Sequence, residues 1–425
     1  PDPAIVSFAC CGALPVLRRS LPPHPRFRGP RWEPSPVAGR ATVEPDGKGE
    51  DTVSAHRRWK ALVAAFLAVL LVGAACGADQ PAETTDPGSS EPSTTPGGDG
   101  ASGEKPTIVL ADAQWQTLWI LNAIAQFIIE EGYGYPVRIE TVTTPVQQQA
   151  MVDGDIHVGM EMWYVNYLEW WNQVLANGEI LDLGPVFERS TQGFYVPRYV
   201  IEGDSERGIE PMAPDLRSVE QLADYKDLFA DPNEPGKGVL INGITGWEVS
   251  EINKIKLHAY GLADDYNVLE PGSSAALDAA IAGAYERGEP VVAYYWEPAW
   301  LMGALDFVLL EEPPYSDECW ARIMEALQGD VAYEDVGEEA ACGYRAHDVR
   351  IAVWSGLPDL APDVVEFLKA MEVGTDPVND VSAYMTENDI EAEEAALYFF
   401  EKYQDRWRSW LPDDVEQRVE DALLA

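Results

Sequence analysis

From residue 105 onward, short apolar runs alternate with segments in which apolar residues recur at helical spacing. Short apolar runs rich in Val and Ile are typical of buried strands, and between them apolar residues such as Leu118, Leu121 and Ile128 recur at helical spacing. These patterns predict strands over residues 107–113, 137–142 and 156–163 and helices over residues 115–131 and 146–152. Strands that alternate with helices are typical of an α/β fold with a parallel sheet.

The alternation returns after an extended segment over residues 193–201 and a polar, Pro-bearing stretch over residues 202–214. The second set of patterns predicts helices over 218–229, 249–260 and 274–287, strands over 238–244, the first half of 290–300, and 348–354, and terminal helices over 362–371, 381–387, 391–410 and 415–424. A chain of 425 residues has room for two domains of ordinary size. We therefore predict one lobe over residues 105–200 and 345–425 and a second lobe over residues 201–344.

Tryptophans stand where the predicted strands end. Trp163 closes the third strand, and the run P-V-V-A-Y-Y-W-E-P-A-W places Trp296 and Trp300 after its strand half, since Pro298 cannot continue a central ladder. Ligands of open α/β sheets bind beyond the carboxyl ends of the strands. A tryptophan face is the best side-chain surface for a cation that has no hydrogen to donate, such as a quaternary ammonium. The alternative is that the run is an aromatic-rich core strand.

A turn with the sequence G-I-T-G-W-E-V-S-E, over residues 243–251, predicts an anion site beside a third such tryptophan, Trp247. A helix that begins directly after a strand leaves several backbone N–H groups without partners, and these groups and the helix dipole favour an anion. A ligand with a permanent cation at one end and a carboxylate at the other would satisfy both features.

The first 104 residues predict export and anchoring. Residues 1–52 are rich in Pro, Arg and Gly without a period and are interpreted as a disordered or untranslated leader. Residues 53–76 combine a basic stretch, an apolar run of about 15 residues, too short for a membrane span, and small residues around Cys76. L-V-G-A-A-C resembles a bacterial lipobox, which would make Cys76 the lipidated residue; cleavage by an ordinary signal peptidase is the alternative. Residues 77–104 predict a flexible tether.

Charge and cysteine content narrow the function further. The formal charge is −43, and only six of the 72 acidic residues precede Gly77, so the folded part is strongly acidic and nucleic-acid binding is not expected. Cys319 and Cys342 are the cysteines of that part, and an exported chain lies where disulfides persist. They are expected to form a disulfide, with two free buried thiols as the alternative.

An enzyme is not expected. His157, His258 and His347 form no metal-ligand spacing, and the chain has neither a nucleophile elbow nor a phosphate-binding loop. We therefore predict no catalytic residue, no metal and no cofactor. A sugar-binding or sensory lipoprotein without a transport role is a second alternative, although sugars would need more Asp, Asn and Arg beside the rings.

The order of these motifs resembles the glycine betaine and related quaternary-amine binding proteins of ABC importers. The resemblance covers about residues 105–411 and depends on D-A-Q-W-Q-T-L-W, D-G-D-I-H-V-G-M-E-M-W, G-I-T-G-W-E, A-Y-Y-W-E-P-A-W and L-L-E-E-P-P-Y. It implies a two-lobed periplasmic-binding-protein fold of type II with the ligand in the cleft between the lobes. It also implies a box formed by Trp163, Trp247 and Trp296 around the ammonium group.

The resemblance assigns the other ligand contacts as well. The backbone N–H groups of Glu248 and Val249 would hold a ligand carboxylate. Trp300 is not assigned by the resemblance, and its position after the strand predicts a place either at the rim of the cage or in packing. Where some members carry a histidine this chain has Tyr164, Asn166 and Tyr167, so Tyr167 is a candidate donor, with packing at a helix start as its alternative role.

The predicted protein is an extracytoplasmic, lipid-anchored and monomeric solute-binding protein. It would bind glycine betaine or a similar compatible solute and deliver it to the permease and ATPase of an ABC importer. Choline or carnitine is the alternative ligand. Glu297 stands where other members often carry Thr, and a carboxylate there would favour choline.

Overall fold

The structure, a computed structural model, describes residues 105–425. The predicted leader, signal sequence, Cys76 and tether lie outside these residues. The strands are β1 Ile108–Asp112, β2 Val137–Thr141, β3 Val158–Met162, β4 Ile180–Pro197, β5 Gly238–Ile241, β6 Tyr266–Leu269, β7 Ala293–Glu297, β8 Phe307–Leu309 and β9 His347–Trp354.

The helices pack on both faces of these strands. They are α1 Gln116–Phe127, α2 Thr144–Asp153, α3 Leu168–Asn177, α4 Arg198–Glu202, α5 Glu248–Ala259, α6 Ser274–Arg287, α7 Trp300–Ala304, α8 Asp317–Leu327, α9 Leu357–Leu360, α10 Pro362–Ala370, α11 Thr375–Asn388, α12 Ala392–Lys402, α13 Gln404–Arg408 and α14 Asp413–Leu423. A π-helical turn over Ile128–Tyr133 extends α1, and 3₁₀ turns lie at Tyr164–Tyr167 and Val219–Tyr225, the last where a longer helix was predicted. No helix among residues 105–425 is both long and apolar enough to cross a bilayer.

The strands form one mixed sheet in the order β2-β1-β3-β9-β4-β7-β5-β6, and β8 pairs with the end of β4. Strands β1, β2 and β3 are mutually parallel, as are β5, β6 and β7, which agrees with the predicted α/β pattern. Strands β4 and β9 lie between these sets and pair antiparallel with their neighbours. We call the part built on β2-β1-β3-β9 lobe I and the part built on β7-β5-β6 lobe II.

Strand β4 connects the two lobes. It pairs with β9 from Ile180 to Ser190 and with β7 from Thr191 to Tyr195, so its partner changes within one residue. Sequence patterns predicted only the second half of this strand as extended, because Gly184 and Pro185 in the first half are typical of a turn. Gly184 has a φ of 114°, and the register with β9 shifts at this point. The predicted residue boundaries of the lobes remain a prediction.

Cys319 and Cys342, the pair predicted from the sequence, form a disulfide in the structure. Cys319 belongs to α8, a helix that sequence patterns did not predict. The buried Trp320 and Ile323 of this helix belong to one apolar cluster with Ile252 of α5. Helix α5 begins at Glu248, directly after Trp247, so the disulfide supports the helix whose start carries predicted site residues.

Candidate functional site

Trp163, Trp247 and Trp296 line one cavity between the two lobes. Trp163 follows β3, Trp247 is the residue before α5, and Trp296 lies on β7, so three elements distant in sequence meet here. A fourth indole, that of Trp115, completes the wall. The space between the atoms, including the part that opens to solvent, is about 490 Å³.

Three of the four indoles meet edge to face. The ring centroids of Trp115 and Trp247 are 5.9 Å apart with an interplanar angle of 81°, and those of Trp247 and Trp296 are 5.2 Å apart at 85°. Tyr295 stacks on Trp296 with its centroid at 4.4 Å and so supports that ring from behind. Rings at right angles enclose a volume on several sides, which a parallel stack of the same rings does not do.

The turn between β1 and α1 puts Trp115 in the cavity wall. Gln114 has a φ of +72°, a left-handed conformation that is uncommon for a residue other than glycine. The Asp112 carboxylate holds the turn because it accepts the Gln114 backbone N–H at 2.8 Å and the Trp119 indole N–H at 2.8 Å. Trp115 belongs to the motif D-A-Q-W-Q-T-L-W, but its place in the cage was not predicted.

Glu161 lines the cavity beside Trp163 and was also not assigned from the sequence. Its carboxylate accepts hydrogen bonds from Thr117 Oγ1, 3.0 Å from each oxygen, and from Trp163 Nε1 at 3.1 Å. Burial raises the pKa of Glu161 to about 7, although these donors favour the charged form. The signal that could have identified Glu161 is its spacing, since a residue two positions before Trp163 in a strand shares the same face.

Glu248 and Val249 lie at the start of α5 and line the cavity, where the resemblance predicted them. Among residues 105–425 no acceptor is found for their backbone N–H groups, as expected at a helix start. The Glu248 carboxylate accepts a hydrogen bond from Gln148 Nε2 of lobe I at 2.7 Å. Burial raises the pKa of Glu248 to about 7.

The remaining lining is polar or aromatic and contains no Lys, Arg or His. Tyr167 lines the cavity as predicted, and burial raises its pKa well above the usual value, so its hydroxyl is a donor. The other lining residues that sequence analysis had not assigned are Thr144, Gln147, Asn166 and Tyr294.

Two groups around the indoles bear on the electrostatics. The indole N–H of Trp296 is buried and has no hydrogen-bond partner among the described residues. His347 contacts the ring of Trp163 edge to face at 5.4 Å, and burial lowers its pKa to about 4, so it stays neutral near pH 7. His347 therefore places no positive charge against the Trp163 ring.

Trp300 and Glu297, two residues that follow Trp296, lie outside the cavity lining. Trp300 does not line the cavity, because helix α7 begins there and its indole N–H donates to Asp278 Oδ2 at 2.9 Å. Glu297, expected beside the cage, is exposed at the end of β7 and is not part of the lining. The acidic groups of the cavity are instead Glu161 and Glu248.

The lobes contact each other through the residues of the cavity. Trp247 Nε1 in lobe II donates to the backbone oxygen of Ala113 in lobe I at 2.7 Å. The backbone N–H of Thr144 donates to the oxygen of Gly246 at 3.0 Å. The cavity is thus complete only when the lobes are together, which is the behaviour of a cleft that closes on its ligand.

The sequence profile of a family described as the substrate-binding domain of ABC-type glycine betaine transport systems matches residues 106–402. A trimethylamine N-oxide-binding protein of Pelagibacter ubique is 24% identical over 314 residues, which are 74% of this chain and 90% of that protein.

Solved structures give the same fold. The glycine/betaine/L-proline-binding protein of an ABC transporter from Borrelia burgdorferi is 19% identical with a TM-score of 0.56, covering 74% of this chain and 99% of that one. A lactococcal protein in a closed-liganded conformation with glycine betaine is 18% identical with a TM-score of 0.53, covering 72% and 100%. These similarities confirm the predicted two-lobed periplasmic-binding-protein fold of type II.

Proposed function

Because this chain belongs to the family of substrate-binding domains of ABC-type glycine betaine transport systems, we propose that its cavity captures a small methylated ammonium compound for import. The observation that carries the proposal is the meeting of four indoles and one buried carboxylate, Glu161, in a cavity lined by no basic side chain.

A quaternary ammonium group fits this chemistry. It has no N–H to leave unpaired, so its burial costs mainly ionic desolvation. Each indole face contributes about 0.5 to 2 kcal/mol to a cation within about 6 Å of its centroid. An ionised Glu161 adds attraction, and a micromolar dissociation constant needs only about −8 kcal/mol in total.

The other end of the ligand is expected to carry a hydrogen-bond acceptor. The backbone N–H groups of Glu248 and Val249 and the buried indole N–H of Trp296 are donors without partners among the described residues. The carboxylate of glycine betaine or carnitine, the oxygen of trimethylamine N-oxide and the hydroxyl of choline would each accept from such groups. Glycine betaine is our first candidate, and choline or carnitine is the alternative.

We also infer where the protein acts and to what it passes its ligand. The protein would act outside the cytoplasm, as substrate-binding proteins of ABC importers do, and would be held there by lipid on Cys76. It would act as a monomer that passes its ligand to the permease and ATPase of the importer without chemical change. None of these roles requires a metal or a cofactor.

Isothermal titration of the protein tests this proposal. The ligands would be glycine betaine, trimethylamine N-oxide, choline, carnitine and tetramethylammonium, with glucose and maltose for the sugar-binding alternative. At least one methylated amine is expected to bind with a micromolar dissociation constant.

The variant Trp296→Ala is expected to abolish that binding. Trp300→Ala is the matched control, because it removes an indole four residues away that does not line the cavity, and it should bind as the wild type does. Binding of a sugar and of no methylated amine would contradict the proposal.

A further inference from the structure

Gln192 is a buried amide at the point where β4 changes its pairing partner. It is 4% exposed and lies opposite Trp296 in the register of β4 with β7. Gln192 does not line the cavity, but it bridges two residues that do. One is Asn166 of lobe I, in the turn after β3, and the other is Tyr294 of lobe II, on β7.

Each end of the Gln192 amide has a matched partner. Tyr294 Oη donates to Gln192 Oε1 at 2.8 Å, and Gln192 Nε2 donates to Asn166 Oδ1 at 2.8 Å. Both bonds are buried, where a mismatched donor or acceptor costs more than it does in water. We call the chain of hydrogen bonds from Tyr294 through Gln192 to Asn166 the relay, and in this arrangement it occupies Oδ1 of Asn166.

The consequence concerns the other atom of that amide. With Oδ1 engaged by Gln192, Asn166 retains its Nδ2 group, which has no hydrogen-bond partner among residues 105–425. Asn166 lines the same cavity as Glu248, Val249 and Trp296, whose free N–H groups are also donors. The polar side of the cavity thus offers donors from several elements.

We propose that Gln192 is a positioning residue that holds the Asn166 amide with its N–H₂ group available to the ligand, so that the site selects methylated amines whose tail is an anionic acceptor oxygen. This inference rests on the proposed function, since it assigns the polar end of the same cavity. The preferred ligands would be carboxylates and N-oxides of trimethylated amines. Ligands without an acceptor would gain nothing from the relay.

The variant Gln192→Glu tests the relay with almost no change in shape. A carboxylate accepts at both ends, so Tyr294 can still donate, but Asn166 must turn its Nδ2 toward residue 192 and leave Oδ1 for the ligand. Dissociation constants are measured by titration calorimetry for glycine betaine, trimethylamine N-oxide and tetramethylammonium. The last has no hydrogen-bonding group and reports on the cage alone.

The readout is the ratio of the dissociation constant of each oxygen-bearing ligand to that of tetramethylammonium. We expect Gln192→Glu to raise this ratio by about tenfold or more, because a hydrogen bond to a charged acceptor is lost. In the Asn166→Ala background the same substitution should leave the ratio unchanged. Gln192→Met, which keeps the length and removes both bonds, should raise the ratio to a smaller extent and serves if Gln192→Glu does not fold.

Two results would overturn the inference, and a third is distinct from them. If the affinity falls equally for all three ligands, Gln192 only supports the fold. If the ratio of dissociation constants is unchanged, Asn166 does not contact the acceptor oxygen of the ligand. If the wild-type protein binds no methylated amine, choline and carnitine included, the proposed function itself fails, and the relay fails with it.

Discussion

Glu161 is the residue on which the electrostatics of the cavity depend most. It is 2% exposed, and its pKa is raised to about 7 by burial. In the ligand-free protein it is therefore partly protonated near neutral pH. A cation bound beside it favours the ionised form and lowers its pKa, so binding of the cation and loss of the proton are coupled.

The coupling predicts a pH dependence. Affinity for tetramethylammonium should rise as the pH increases from about 5.5 to about 8, by about tenfold for each unit by which the cation lowers the pKa. Titration in buffers that differ in ionisation enthalpy should detect proton release on binding. An affinity that does not change across this pH range would contradict the coupling.

Two carboxylates could cause this pH dependence, since Glu248 lines the same cavity and its pKa is also raised to about 7. Matched variants show which of them does. Glu161→Gln should weaken binding of tetramethylammonium at pH 8 and flatten the pH dependence, whereas Glu248→Gln should leave most of the slope. If the slope follows Glu248 instead, the cation lies nearer the start of α5 than Trp163.

Site residues could be predicted from the sequence where both the residue type and its position in a strand or helix indicated ligand binding. Trp163, Trp247 and Trp296 stand at the ends of strands or the start of a helix, and the structure brings all three to one cavity. Trp300 satisfied the same rule but does not line the cavity, because whether a side chain after a strand faces a cleft depends on the local turn. Glu161 was missed because its carboxylate becomes part of the site only through contacts with Trp163 and Thr117. Such long-range contacts are not visible in the sequence.

The turn between β5 and α5 contacts the other lobe and also borders the ligand cavity. Gly246 in this turn has a φ of +101°, and a Cβ on it would lie 2.8 Å from Cγ2 of Thr143 in lobe I. Its backbone oxygen accepts the N–H of Thr144 across the cleft. Only glycine allows both the conformation and this approach.

Gly246→Ala should therefore weaken ligand binding by opposing lobe contact. A strained backbone and a clash of this kind cost about 1 to 2 kcal/mol, or about five- to thirtyfold in the dissociation constant. Gly236→Ala is the matched control, since Gly236 has a φ of +95° and no atom lies within 4 Å of its Cβ position. Calorimetric titration of both variants, with their melting temperatures, separates backbone strain from the clash. Equal affinities would argue against the role of this contact.

Elements were predicted from the sequence where the periodicity was strong. Helix α6 was predicted with its observed bounds, Ser274–Arg287. Helix α3 and helix α8 were missed, and the predicted helix over 391–410 is divided at Tyr403, which separates α12 from α13. The pairing of β4 with both β9 and β7 is a long-range property, and no local pattern specifies it.

At the scale of the whole molecule, the two lobes share one sheet, and the cavity lies where they meet. Trp247 combines two roles there, since its ring lines the cavity and its N–H bonds to Ala113 of the other lobe. A ligand that contacts both lobes favours the arrangement in which they are together, and its affinity is limited by how much better it binds that arrangement. Recognition and lobe contact are thus properties of the same residues.

A crystal structure of the protein with glycine betaine would show directly whether the indoles hold the ammonium group. We expect the ligand nitrogen within about 6 Å of the ring centroids of Trp163, Trp247 and Trp296, with the carboxylate at the backbone N–H groups of Glu248 and Val249. Density for the ligand outside this cavity, or an ammonium group in the cavity that contacts none of these indoles, would contradict this expectation.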